Sequence, residues 1–275
     1  MRSNLLSLQN TQSLMDQTQE RLSTGKKVNS AIDNPSSYYT AQSLNNRASD
    51  LSALLDSMGQ AIQTIQAADE GIEAITDFAS QAKAVAQSAA DSTDAEERAS
   101  YMEQFNNILK QIDGIAKDSG YKGVNLLDGG TLTVKFNETG DSKLEITGKS
   151  ADTTGLELDD AADWGKVSDY TTLQGNITSA QQAYDQAIAG AGDTDGSKKK
   201  ALDAAIKAYD DAVAADVKAQ SAKIEEAMTA VDSAISTLRN WASEFGNNYS
   251  IVQSRESFTE NLINVLTEGA DKLTL

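Results

Sequence analysis

Cysteine and histidine are both absent from this 275-residue chain. Without thiols there is no disulfide and no thiolate metal site, and cysteine usage gives no reading of compartment. Without imidazole the commonest general base and the commonest metal ligand are both missing. Proline occurs once, at Pro35, so long helices run with little interruption from the residue they exclude. Basic charge is scarce: 23 Lys and Arg stand against 41 Asp and Glu, a formal net charge of −18. Such a chain repels phosphate backbones, and no basic stripe offsets that, so nucleic acid is excluded as a partner. No run of about 18 apolar residues offers a membrane span. No charged-then-apolar leader opens the chain, which predicts the lack of a cleavable secretory signal.

What is present is a repeat. From Lys218 to Leu273, steps of four and three pick out Ile224, Met228, Val231, Ile235, Leu238, Ala242, Phe245, Tyr249, Val252, Glu256, Thr259, Ile263, Leu266, Ala270 and Leu273. A sustained 4-3 apolar spacing marks a helix that buries one seam against other helices in a left-handed supercoil. At about 1.5 Å per residue this helix would be roughly 80 Å long and must have a partner.

The partner lies in the N-terminal half. Leu51, Leu55, Met58, Ile62, Ile65, Asp69, Ile72, Thr76 and Ala79 step by four and three, starting after a cap at Asn34-Pro35. Asp91-Ser92-Thr93-Asp94 breaks that helix and caps another, with Glu96 and Glu97 in its first turn. Tyr101, Phe105, Ile108, Ile112 and Ile115 then resume the spacing. Ahead of both lies a thin amphipathic helix bearing Leu5, Leu8, Met15 and Leu22 and stopping at Gly25. Alone it would bury little and fray.

Residues 120–130 form a turn-rich exit. Thr131 to Phe136 and Lys143 to Thr147 alternate at period two around an Asn137-to-Ser142 loop, which predicts a β-hairpin. Residues 148–168 read as irregular, with Trp164 their one aromatic; it is expected to be better exposed than the seam aromatics, though a packing role is favoured even there. Residues 169–217 read as an inserted helical hairpin. Leu173, Ile177, Ala180, Tyr184 and Ala187 form one seam, and Leu202, Ile206, Tyr209, Val213 and Val217 the other. The second arm runs on into the long C-terminal helix. The expected fold is mainly α: an elongated rod of long antiparallel helices with coiled-coil seams, a small β-hairpin and an inserted helical hairpin, arranged as a three- or four-helix bundle with adjacent termini.

The ends of the chain resemble bacterial flagellin. Glu20-Arg21-Leu22-Ser23-Thr24-Gly25-Lys26-Lys27-Val28-Asn29-Ser30-Ala31 is similar to that family's run near the N-terminus. Asp69-Glu70-Gly71 looks like its mid-helix acid-glycine step, and Gly123-Val124-Asn125-Leu126-Leu127 like the G-x-x-L-L after its second helix. Residues 261–275 read like the start of its C-terminal region, and the Asn34-Pro35 step suggests the alphaproteobacterial branch. The likeness covers about residues 4–147 and 220–275 and leaves a divergent centre. It implies a filament core helix over 1–25, a conserved-type domain over 26–150 and 218–275 with its hairpin near 131–147, and a variable outward-facing insert over 151–217. It also implies a subunit exported unfolded through the flagellar type III machinery, assisted by a chaperone, and polymerising with other flagellin subunits outside the cell. Against the family pattern the chain reads as trimmed at both termini, which would remove part of the polymerisation and chaperone segments. Flagellins recognised by the vertebrate innate receptor carry an Arg/Glu-rich patch where this chain has Ser80-Gln81-Ala82-Lys83-Ala84-Val85-Ala86, so the resemblance does not extend to that recognition.

Sharper chemistry finds little support. Asp193-Thr194-Asp195-Gly196-Ser197 starts like a calcium loop, but glycine falls at position 4 rather than 6 and position 12 is Ala204. Asp159-Asp160, Asp210-Asp211 and Glu225-Glu226 are adjacent carboxylates, which diverge on a helix and so do not form an acid–base pair. Three N-x-[ST] triplets, at Asn137, Asn176 and Asn248, are of the kind chance supplies. Trp241, Phe245 and Tyr249 could stack a sugar but sit on the seam. Lys198-Lys199-Lys200 reads as a solvated first turn. No catalytic residue, cofactor or metal is expected. Two other functions remain open at this point: a hook–filament junction protein, and a surface flagellin homologue acting as an adhesin or glycan-binding protein.

Overall fold

The computed structural model describes residues 2–166, 168–190 and 196–275, with residues 2–5 described by backbone alone. Five helices and one hairpin follow in order: α1 Arg2–Thr24, α2 Pro35–Asp91, α3 Ala95–Asp118, β1 Thr131–Lys135, β2 Lys143–Thr147, α4 Thr171–Ala189 and α5 Ser197–Thr274. The fold is mainly α. The expected connection of the helical hairpin falls largely on residues 191–195, which lie outside the described residues.

The helix boundaries have local causes. Asn34 Oδ1 accepts the Ser37 N–H at 3.2 Å, capping α2 just before Pro35, whose missing N–H costs nothing there. Asp94 Oδ1 accepts the Glu96 and Glu97 N–H groups and caps α3. Ser92 Oγ donates to Glu97 at 2.6 Å, so the turn between α2 and α3 satisfies its own polar groups. In the hairpin, Thr131 pairs with Thr147 and Lys135 with Lys143, in antiparallel register. Only Val134 and Ile146 are fully buried in it, the one-sided pattern that period-two alternation predicts.

The chain divides into two compact units. Residues 1–69, 120–148 and 244–275 make the first, and residues 70–119 and 149–243 the second. In the first, Ala48, Leu51 and Leu266 form a core cluster, with Leu44, Leu54, Leu262 and Ile263 packed on it. Gly269 faces Leu44 while Gly59 faces Glu256, so α2 and α5 run antiparallel there. In the second, Lys83 Nζ meets Asp232 Oδ1 at 2.6 Å across the same two helices.

Seam residues follow a 3-4 spacing, with corrections. On α2 the buried series is Met58, Ala61, Ile65, Ala68, Ile72, Ile75, Ala79, Ala82, Ala86 and Ala89, with Leu51 and Ile62 buried beside it. Asp69 is exposed and Thr76 half-buried; each lies one residue past the buried position. The alanines carry too weak an apolar signal to have set that phase from sequence. Leu55 is half-buried. On α3, Phe105 and Ile112 are buried, but Leu109 and Ala116 take the places given to Ile108 and Ile115, both half-buried. On α5, Ile224, Val231, Ile235, Leu238, Phe245 and Val252 are buried, and Met228 and Tyr249 half-buried. Leu273 is exposed and Thr274 buried instead, because the helix ends there against another segment.

Residues 149–166 are irregular yet tightly fixed. Trp164, expected to be better exposed than the seam aromatics yet to serve packing, is 1% exposed. Its ring lies 5.0 Å from that of Phe105 at 53°. Gly165 lets the strap settle on the first turn of α3: a Cβ there would collide with the Ala95 carbonyl and the Ala99 backbone. Asn106 grips Ala161 from both sides, accepting its N–H at 2.7 Å and donating to its carbonyl at 2.9 Å. Lys223 Nζ lies 2.8 Å from Asp163 on the same strap.

Candidate assembly site

For a chain without catalytic groups, the surfaces that function could use are those the sequence motifs build and those the core leaves uncovered. The first motif, Glu20 to Ala31, ends α1 and turns the chain. Glu20, Arg21 and Leu22 are exposed on the last turns of α1. Gly25 follows with φ +68, the left-handed conformation that stops a helix and that glycine adopts without strain. The N–H groups of Lys27 and Val28 then both donate to the Thr274 carbonyl, at 2.7 and 3.0 Å. This ties the exit of α1 to the last residue of α5. Asp33 organises the rest of the turn: its Oδ2 accepts the Asn29 N–H at 3.1 Å and the Ser30 N–H at 3.0 Å. Those backbone donors, Asn29 first, hold its carboxyl below the ordinary value. Asn29 itself is half-buried and donates through Nδ2 to the Lys26 carbonyl.

The second motif, Gly123 to Leu127, is a structural corner. Tyr121 and Val124 exchange backbone hydrogen bonds around Lys122 and Gly123, both at positive φ. Asn125 Oδ1 accepts the Leu127 N–H at 2.8 Å, and Leu126 and Leu127 are 0% exposed. The hairpin beyond it is pinned in two places. Arg47 donates to Glu138 at 2.6 Å, and the Arg255 guanidinium sits 5.2 Å from the centre of the Phe136 ring.

What remains uncovered is α1. Every described side chain from Leu6 to Thr24 is exposed except Gln17, which is half-buried. Sequence reading foresaw a thin helix; its lack of any packed face is visible only in the structure. Most helical stability in proteins comes from packing an amphipathic face, and none of the described side chains of α1 supplies one within the unit. The insert is comparably lean: α4 has no fully buried side chain, and its base is tied by the Tyr170 hydroxyl donating to Asp216. Among the described residues no group of three or more His, Cys, Asp or Glu could hold a metal. No described helix is long and apolar enough to cross a membrane.

Residues 1–131 match the model of the bacterial flagellin N-terminal helical region. Flagellin FljM of Caulobacter vibrioides is 28% identical over 240 residues, covering 82% of this chain and 87% of that protein. Those 131 residues are a bacterial flagellin N-terminal region. Flagellin FljK of the same organism is 27% identical over 237 residues, 82% of this chain and 86% of FljK. Flagellin C of Rhizobium meliloti is 22% identical over 272 residues, 94% of this chain and 80% of its own. The similarity to these relatives runs well past the N-terminal region. The chain is a structural subunit of the flagellar filament, and the junction-protein and adhesin readings gain nothing from its relatives.

Proposed function

We propose that this flagellin builds its filament by open, head-to-tail addition in which α1 becomes covered only on assembly. The observation that carries the reading is a 23-residue helix with exposed apolar side chains along its length in a chain of a filament-forming family. A contact between two different surfaces, repeated with a rotation and a rise, does not close and extends without limit. In this reading the chain is exported through the flagellar type III machinery, is located outside the cell, and has no enzymatic activity. Residues 26–150 and 218–275 carry the conserved filament architecture, and residues 151–217 face outward as the variable segment.

The test is complementation. Cells stripped of their own flagellins would express this protein from its native reading frame, and electron microscopy would measure what grows on their hooks. Long filaments of uniform diameter are expected. Hooks that gain only a short collar, or nothing, would overturn the filament reading and return attention to a junction protein.

A further inference from the structure

Two Asp-Gly steps lie wholly within the described residues, and the structure treats them differently. The peptide nitrogen that follows an aspartate can attack the carboxyl carbon of that side chain. The carboxyl loses its hydroxyl as water, and a five-membered succinimide closes. Water then opens the ring at either carbonyl. Opening at the main-chain carbonyl leaves isoaspartate, with the backbone routed through the side chain. One water leaves and one returns, so mass is conserved and no oxidant, cofactor or enzyme takes part. Glycine obstructs the closing ring least, because it has no Cβ.

Asp113-Gly114 is protected twice. It lies inside α3, where the Gly114 N–H belongs to the helix ladder. Asp113 Oδ1 also accepts the Thr153 N–H at 2.8 Å, which engages the carboxyl with the strap. Ring closure there has to open the helix first, and local opening of a packed element costs free energy.

Asp128-Gly129 has neither protection. Both residues are exposed and lie outside every helix and strand of the fold. Gly129 has φ +72. Among the described residues the Asp128 carboxyl has no hydrogen bond or ion pair, and the Gly129 N–H makes no hydrogen bond. The bonds that hold this corner run past the step: the Gly130 N–H donates to the Asn125 carbonyl at 2.9 Å, and the Gly148 N–H to the Gly130 carbonyl at 2.7 Å. The frame is tight at Gly130, where a Cβ would lie 2.4 Å from the Asn125 carbonyl oxygen. That crowding acts on Gly130 and leaves the Asp128 carboxyl in solvent. Closure at Asp128 needs rotation about its own bonds, whereas closure at Asp113 needs broken helical turns.

We propose that Asp128-Gly129 is a site of spontaneous isomerisation, converting to isoaspartate as the protein ages while Asp113-Gly114 is spared. The inference is independent of the filament reading. The product carries one extra main-chain carbon between Leu127, which is 0% exposed, and the crowded Gly130, so the change falls at the root of the hairpin.

Trypsin separates the two steps. Cleavage after Lys110 and Lys117 releases residues 111–117, and cleavage after Lys122 and Lys135 releases residues 123–135, each with a single aspartate. The purified full chain would be held warm in mildly acidic buffer for weeks and then digested. Chromatography with electron-transfer fragmentation distinguishes isoaspartate from aspartate at equal mass. The 123–135 peptide should split into two peaks, gaining isoaspartate at least about tenfold faster than 111–117, which corresponds to about 1.4 kcal/mol of local opening. In urea the two rates should converge, since both steps then lack structure. Asp128→Glu would need a six-membered ring and should abolish the second peak, while Asp113→Glu should leave it unchanged. If the unfolded chain isomerises at Asp128 but the folded chain does so no faster than at Asp113, the corner itself protects the step and the proposal fails. A second peak that survives Asp128→Glu would overturn it as well.

Discussion

Trp164→Ala should unfold the second unit far more easily than its place in an irregular segment suggests. The side chain is 1% exposed and packs at a tilt against Phe105, so its removal leaves a cavity between the strap and α3. Large aromatic-to-alanine changes in packed cores cost about 3–5 kcal/mol. The ring pair accounts for about 0.5–1.5 kcal/mol of that. With a urea slope of about 2 kcal/mol per molar, the midpoint should fall by about 2 M. The assay has a built-in reporter. Trp241, half-buried on α5 in the same unit, becomes the only tryptophan in the variant, and its fluorescence can be followed alone. Trp164→Phe gives the matched comparison with the same single reporter and should lose less than half as much. A midpoint shift under about 0.5 M in Trp164→Ala would refute the reasoning, because the strap would then be lying on α3 without being anchored by its tryptophan.

Three further outcomes are expected. Ala82→Leu forces a larger side chain into a seam position that is 0% exposed, and should cost about 1–3 kcal/mol in urea unfolding; a neutral result would mean the alanine seam is loose. Arg98 is 4% exposed and its Nε has no hydrogen-bond partner, so Arg98→Met should be neutral or stabilising by calorimetry, and a loss above about 2 kcal/mol would contradict that. The Lys223 hydrogen bond, then the charges of Lys166 and Lys223, hold the Asp163 carboxyl below its ordinary value. A depressed carboxylate adds stability above the unfolded value of about 3.9, and that contribution is lost as pH falls through the folded value. The urea midpoint of the second unit should therefore drop below about pH 4, and Asp163→Asn should drop less; identical acid profiles would remove Asp163 from the account.

Much of the helical framework was legible because its signals are redundant. Ile224 to Val252 announce α5 by periodicity, and Asn34-Pro35 and Asp94 announce two helix starts by cap chemistry. What sequence misplaced was phase where alanine carries the seam. Ala61, Ala68 and Ala82 are as buried as isoleucine, but on a hydropathy pattern they weigh little against Asp69 or Thr76 beside them. Leu109 was passed over for Ile108 for a related reason: both are apolar, and only the contact with the rest of the unit decides which one turns inward. A packing role for Trp164 was legible, but its full burial was not. It depends on Asn106 and Gly165 bringing an aperiodic strap down on α3, and no local pattern encodes a long-range clamp. Leu8, Met15 and Leu22 stand out on the page as the apolar face of α1, but that this face stays exposed does not.

The lean packing of α4 has an evolutionary side. Its side chains are at most half-buried, so a substitution there removes little that any other element relies on. Mutations in such a segment pass the stability filter that would eliminate them on α2 or α3. The helix can therefore drift in sequence at a rate the seams cannot match. That freedom makes α4 the helix on which substitutions can be made without disturbing the seams.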